Sequence, residues 1–188
     1  MQQEPQRRFY LPEFRAISRA ISTYEDLNLL IDHFVEGITR AFKVKGASIM
    51  LYDELEGQLF RVGSFGISEG YLRKGPVFLQ DQEDAFVKGE PVFVQDLEQD
   101  SRVQYPEAAR SENIHAMLSF PIKCREHVVG ILRIYHSEAI QLHSDDVDSV
   151  CALALHLGLV IEDNGLRNFV QLVAGAIDSL PPRMRKGE

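Results

Sequence analysis

Apolar and polar positions along the chain change their period several times, and each change marks an element. From Leu11 the spacing is helical: Leu11, Phe14, Ile17, Ala20 and Ile21 share one stripe, with Pro12 in the first turn. Ser22-Thr23-Tyr24-Glu25 has the S-x-x-E form of a capping box, which predicts a second helix from that point. Its stripe is Leu27, Leu30, Ile31, Phe34, Val35, Ile38 and Phe42, and Gly46 is placed to stop it. Ala47 to Tyr52 and Gln58 to Phe65 then take strand character around Asp53-Glu54-Leu55-Glu56-Gly57, which predicts a hairpin. Residues 1 to 10 are polar and read as loose.

The longest apolar material lies between His115 and His136. Met117 to Ile122 and Val128 to Tyr135 are two strand-like runs separated by Lys123-Cys124-Arg125-Glu126, a second hairpin. Val128 to Leu132 shows no polar alternation, so that strand is expected to be covered on both faces. Pro121 cannot donate to a ladder and belongs on an unpaired side or at a bulge. Between the hairpins, residues 67 to 113 are irregular. They hold one helical turn at Ala85 to Lys88 ending at Gly89, a short edge strand at Pro91 to Val94, and a helix seed at Tyr105 to Arg110. Long stretches of this kind inside a compact domain commonly carry function.

After the second hairpin, Ser144-Asp145-Asp146 reads as an N-cap with carboxylates in the first turn. A helix follows through Val147, Val150, Cys151, Ala154, Leu157, Gly158 and Ile161, with Asn164-Gly165 as an interruption. A second stripe runs through Leu166, Phe169, Val170, Val173, Ile177 and Leu180 to Pro181-Pro182. A covered central strand needs a layer on each side. The predicted class is therefore α+β, with a central, mostly antiparallel sheet of five to six strands. The N- and C-terminal helices lie on one face, and loops and short helices on the other. Residues 1–22 form an N-terminal helical extension, 23–163 the domain, and 164–188 a C-terminal helical extension and tail.

Length and charge narrow the function classes. The 188 residues suffice for one domain with appendages. A net charge of −8 disfavours nucleic acid and acidic membrane surfaces, and the one basic cluster, Arg183-Met184-Arg185-Lys186, is short. Two cysteines and no CxxC do not make a disulfide framework. The N-terminus lacks an apolar h-region, and no run reaches the ~20 apolar residues of a membrane span. The expectation is a cytoplasmic protein without membrane insertion.

Candidate chemistry is sparse. His33, His115, His127, His136, His143 and His156 show neither HxxxH nor HxH spacing, so no metal site is expected. Ser101, Ser111 and Ser119 lie in no GxSxG elbow, and no catalytic residue is assigned. Cys124 stands between Lys123 and Arg125, cations that favour a thiolate; redox sensing or a substrate-handling enzyme is one reading, an inert hairpin-turn thiol the other. The ligand-site candidates are Phe65, Tyr71, Phe78, Asp96, Arg102, Tyr105, His115 and Ser119, which mix apolar walls with hydrogen-bonding groups. Arg102 would meet an anion or pair with Asp96 or Asp100. The terminal stripes, particularly Phe169 to Leu180, exceed what one sheet face covers, so the extension either folds back on its own domain or packs on a second chain; a homodimer through the terminal helices is the favoured reading.

The order of pieces resembles the GAF domain, a family of small-molecule sensor modules. The first hairpin, ASIMLYDELEGQL, and the middle, KGEPVFVQDLEQDSRVQYPEAARSENI, carry the likeness. So does HAMLSFPIKCREHVVGILRIYHSE running into LHSDDVDSVCALALHLGLVIED. The match spans roughly Tyr24 to Asp163. The resemblance implies a dimer-making face of first and last helices, and a ligand on the opposite sheet face under the middle segment. Its special chemistries do not carry over. There is no Asn-Lys pair of the cyclic-nucleotide signature, no Cys in the middle segment for a bilin, and too few cysteines for methionine sulfoxide reduction. The implied function is that of a non-catalytic sensory and regulatory module of bacterial type, with an unidentified small molecule, no named cofactor and a separate output protein. A ligand-free dimerisation scaffold is the alternative from another class.

Overall fold

The computed structural model describes residues 5–79, 84–97, 100 and 102–179, with side chains through 173. Ser101, Leu180, the Pro181-Pro182 stop and the Arg183 to Lys186 cluster lie outside the described residues, as does the side chain of Ile177. The helices are α1 (Leu11–Thr23), α2 (Leu27–Phe42), α3 (Glu69–Leu72), α4 (Ala85–Lys88), α5 (Pro106–Ser111) and α6 (Ser144–Ser179). The strands are β1 (Gly46–Asp53), β2 (Gln58–Phe65), β3 (Val77–Phe78), β4 (Val92–Val94), β5 (Ala116–Cys124) and β6 (His127–His136). They form one six-stranded sheet in the order β3-β2-β1-β6-β5-β4, every pairing antiparallel. The expected α+β class and sheet are thus present, with β6 in the interior.

Strand alternation splits β6 between two cores. Leu132 and Ile134 join α1, α2 and α6 in the main core, with Leu118, Phe120 and Ile122 of β5. Ile131 and Tyr135 point the other way, into smaller clusters beneath the middle segment. The helices therefore cover one face, and the 67–113 segment roofs the other. Pro121 sits opposite Ile131, beyond the end of β4, whose pairing with β5 stops at Ser119, and next to a register irregularity at Ile122/Lys123. That position spares it a missing donor.

Four local expectations are corrected. The Ser22–Glu25 capping box is not used, because Ser22 and Thr23 turn their hydroxyls back onto the Ser18 and Arg19 carbonyls of α1. Asp26 caps α2 instead, accepting from the Asn28 and Leu29 amides at 2.8 and 3.2 Å. Nor does Gly46 stop α2. Lys43 does, in the left-handed region at φ 52°, while Gly46 opens β1, where a Cβ would lie 2.8 Å from the Ile67 side chain.

Residues 5 to 10 are docked rather than loose. Phe9 is fully buried and stacked on Phe42 at 4.9 Å. The amides of Arg8 and Phe9 donate to the buried Asp146 carboxylate at 2.8 and 3.0 Å. Finally, α6 passes unbroken through Asn164-Gly165. Side-chain pairs four residues apart bridge the weak point: Asn168 donates to Asn164 at 3.1 Å, and Arg167 pairs with Asp163 at 2.8 Å.

α6 lies on β5 through Val150, Leu153, Ala154 and Leu157, all fully buried. Contact is closest at Gly158, where a Cβ would stand 2.6 Å from the Lys123 carbonyl carbon. Only a residue without a side chain allows this approach.

Candidate functional site

The roofed face of the sheet holds a cavity of about 120 Å³. Its floor follows from register. Arg133, Ser119 and Val92 are successive cross-strand partners on β6, β5 and β4, and Ser48, on the β1 side of Arg133, lines the adjoining cavity. Side chains directly opposite each other stand ~5 Å apart at Cβ, so Arg133 and Ser119 share the centre of the floor. Met117, Val94 and Leu97 supply an apolar flank.

Short elements make the roof, and a few hydrogen bonds join them. Ser68 caps α3, and both its amide and its hydroxyl donate to Glu112, which Lys45 also approaches at 3.4 Å. Burial favours the neutral acid at Glu112, but the Ser68 hydrogen bonds and Lys45 prevail and hold its pKa below the usual range. Gln104 grips Phe78 twice, donating to its carbonyl and accepting from its amide. Tyr105 donates its hydroxyl to the Pro76 carbonyl at 2.6 Å.

Charge in the cavity is unevenly matched. Arg133 is 9% exposed, its Nε has no hydrogen-bond partner, and its terminal nitrogen reaches Asp84 only at 3.5 Å. Asp84 is already occupied in part, because it caps α4 by accepting from the Phe86 amide at 2.8 Å. Lys74 sits 3.8 Å from the centre of the Tyr71 ring. Burial, then repulsion from Arg133 and Arg61, brings its pKa down from 10.5 to about 8. Burial, aided by Tyr135 and Glu112, raises the Tyr71 phenol beyond its ordinary value, so it stays neutral. An adjoining cavity of about 180 Å³ shares Lys74 and Val77 with the first.

Four of the eight candidates read from the sequence line the cavity: Tyr71, Arg102, Tyr105 and Ser119. Arg102 is paired with Asp100, its Nε 2.8 Å from a carboxylate oxygen, and this hydrogen bond is the main reason Asp100 titrates low. The other four stand elsewhere. Phe65 is partly exposed at the end of β2, with Arg40 of α2 over its ring. Phe78 is exposed on β3. Asp96 lies in the loop after β4, outside the lining. His115 extends the ladder, its amide donating to His136 at 2.8 Å and its carbonyl accepting from Leu97 at 2.9 Å.

Three charged residues that matter here escaped sequence reasoning: Arg133, Lys74 and Asp84. For Arg133 a signal existed, since it is the one charge inside the covered run Val128 to Tyr135. A charge in a strand buried on both faces is a polar group with a task. Nothing in the local pattern distinguishes Lys74 from the neighbouring Arg73.

Cys124 is also placed differently from expectation. It is 4% exposed on the helix side and donates its thiol hydrogen to Glu162 of α6. Lys123, one residue earlier on the strand, turns to the opposite face, against Gly89. Cys151, half-buried, has its pKa raised by burial and by Asp148. Among the described residues no group of His, Cys, Asp or Glu is arranged to hold a metal ion.

The family model described as GAF domain matches residues 26–161, most of the chain. The chain belongs to the GAF domain family. GAF domains are sensory and regulatory modules, and the helix-faced, loop-roofed sheet is their architecture. Comparison with curated proteins finds no match.

Among solved structures, the chain is similar to the GAF domain from a phosphoenolpyruvate-protein phosphotransferase of Coxiella burnetii. The TM-score is 0.73 at 20% identity, over 84% of this chain and 95% of that one. It is similar to free methionine-R-sulfoxide reductase from Neisseria meningitidis in complex with its substrate, at TM-score 0.67 and 16% identity, over 82% and 89% of the two chains. The cyanobacteriochrome TePixJ GAF domain aligns at TM-score 0.65 and 17% identity, over 78% and 95%. At these identities the likeness is one of fold. No helix among the described residues is long and apolar enough to cross a membrane.

Proposed function

We propose that this GAF domain is a non-catalytic regulatory sensor: a small molecule enters the cavity on the roofed face, and the response leaves through α6. The observation that carries the reading is the cavity itself, floored by two interior strands and closed by helices of only four to six residues. Such a roof is held by few contacts, so a ligand that bridges floor and roof changes its order at small energetic cost. The solved relative that carries its substrate on the same fold supports a small-molecule occupant.

α6 supplies the output. Leu155, Leu159, Leu166, Phe169 and Val173 are all exposed. Their spacings of 4, 7, 3 and 4 residues keep the 3.5-residue period of a coiled-coil seam. A second copy of this chain covers that seam, giving a homodimer whose helix geometry reports the cavity to a separate output protein in the cytoplasm. The same seam supports a second reading, a dimerisation scaffold without ligand.

A metabolite screen by thermal shift on the full chain tests the two, alongside Ser119→Phe, which fills the cavity floor. The sensor reading expects compounds that raise the Tm of the parent and leave a folded Ser119→Phe unmoved. If no compound of any charge class shifts the parent, the scaffold reading stands instead.

A further inference from the structure

We infer that the cavity selects a small monocarboxylate with a short apolar chain, its carboxylate held by Arg133 and Lys74 and its chain laid against Val92, Val94 and Leu97. This deepens the sensor reading and depends on it. The anion follows from charge that the protein leaves unmatched. Arg133 and Lys74 both line the cavity, and among the described residues Asp84 is the one carboxylate in its lining. Arg102, the third cation there, already has Asp100. Asp84 meets Arg133 at 3.5 Å, too long for a good charge-assisted hydrogen bond, and gives its other oxygen to a backbone amide.

A guanidinium buried with an unpartnered Nε is an unfavourable arrangement unless something fills the position. A ligand carboxylate does so, and its planar oxygens suit the guanidinium fork. Ser119, cross-strand from Arg133, offers a hydroxyl on the same floor. The Lys74 pKa is lowered first by burial and then by repulsion from Arg133, which an anion placed between the two would relieve.

Charge type and size follow from the same surroundings. Asp84 already faces Arg133, so a phosphate dianion would meet a like charge at the group that binds it. A monoanion meets less repulsion. The volume of about 120 Å³ falls below the ~300 Å³ at which drug-sized pockets begin. Away from the cations, Val77, Val92, Val94, Leu97, Val103 and Met117 form an apolar stretch of wall, against which a short hydrocarbon chain can lie.

Calorimetric titration of the full chain with sodium butanoate at constant ionic strength is the direct test. Butanamide, butylammonium and inorganic phosphate serve as the comparison arms. Butanoate is expected to bind saturably and at least tenfold more tightly than any of the three. Arg133→Gln, checked for fold by circular dichroism, should weaken it tenfold or more. Lys74→Met should weaken it several-fold, and carries the test if Arg133→Gln does not fold.

Equal affinity for butanamide, blocked by Ser119→Phe, would overturn the carboxylate assignment and leave the sensor reading intact. Phosphate binding as tightly as butanoate would overturn the assignment of a monoanion. Unchanged butanoate affinity in folded Arg133→Gln or Lys74→Met would overturn it as well. No binding of any arm, together with no shift in the metabolite screen, would remove both.

Discussion

Gly158→Ala is the substitution on which the architecture can be judged most sharply. The added Cβ would stand 2.6 Å from the Lys123 carbonyl carbon and 3.2 Å from its nitrogen. Carbon–carbon contact is comfortable near ~3.5–4.0 Å. Relief therefore needs a separation of about 1 Å between α6 and β5, along an interface where Val150, Leu153, Ala154 and Leu157 are fully buried. Neither partner is a flexible side-chain end; both are backbone. Overpacking of this kind costs about 1–3 kcal/mol or more, and the upper end applies. Alanine's better helix propensity returns about 1 kcal/mol.

The net expectation is a loss of about 2 kcal/mol, or a fall in Tm of roughly 4–8 °C for a chain of this size. Gly165→Ala is the internal control. It lies in the same helix with nothing within 4 Å of a built Cβ, so propensity acts alone and stability rises by up to about 1 kcal/mol. Urea unfolding followed by circular dichroism measures both. Opposite signs support the seating of α6 on β5. A Gly158→Ala protein as stable as its parent would refute it.

Three further outcomes are expected from the same structure. Asp146→Ala removes the acceptor of the buried Phe9 amide and of the part-buried Arg8 amide and should lose about 2–4 kcal/mol in urea; a loss under about 0.5 kcal/mol would mean that residues 5 to 10 are not docked. Lys74 has a folded pKa of about 8 against an ordinary 10.5. The unfolded chain therefore holds its proton more firmly across that window, and stability rises with pH from about 8 toward 10.5. Lys74→Met should stabilise the ligand-free protein below pH 8 by on the order of 1 kcal/mol, after discounting for partial exposure, and flatten that rise; an unaltered pH profile would contradict the burial of this lysine. Phe169→Glu places a charge on the α6 seam and should reduce the light-scattering mass from twice the 21.3 kDa chain to one copy; a monomeric parent would rule out the seam as a dimer contact.

Period was the reliable part of the sequence. The covered run Val128 to Leu132 required a strand with a layer on each side, and β6 has both. Pro91 and Gly89 marked the edge strand and the end of α4 because each acts locally, through a missing donor and a left-handed cap. Errors came where tertiary contacts decide. Gly46 looks like a stop signal but is spent on the close pass of β1 by Ile67. Asn164-Gly165 looks like a break but is spanned by two side-chain pairs.

The site was half legible for a related reason. Tyr71, Arg102 and Tyr105 belong to the 67–113 segment, whose irregularity invites attention, and Ser119 is a hydroxyl in the otherwise apolar run Met117 to Ile122. Arg133 belongs to a strand whose overall apolarity conceals it. Its importance rests on its cross-strand neighbours Ser48 and Ser119, and pairing across strands is not written in local sequence.

The most direct test of the central claim, a ligand cavity closed by a roof that orders on binding, is amide hydrogen exchange across the full chain with and without saturating butanoate. Slower exchange is predicted in residues 69–79 and 102–111, with a smaller change along α6. Protection confined to α1 and α6, with the roof unaltered, would contradict that claim.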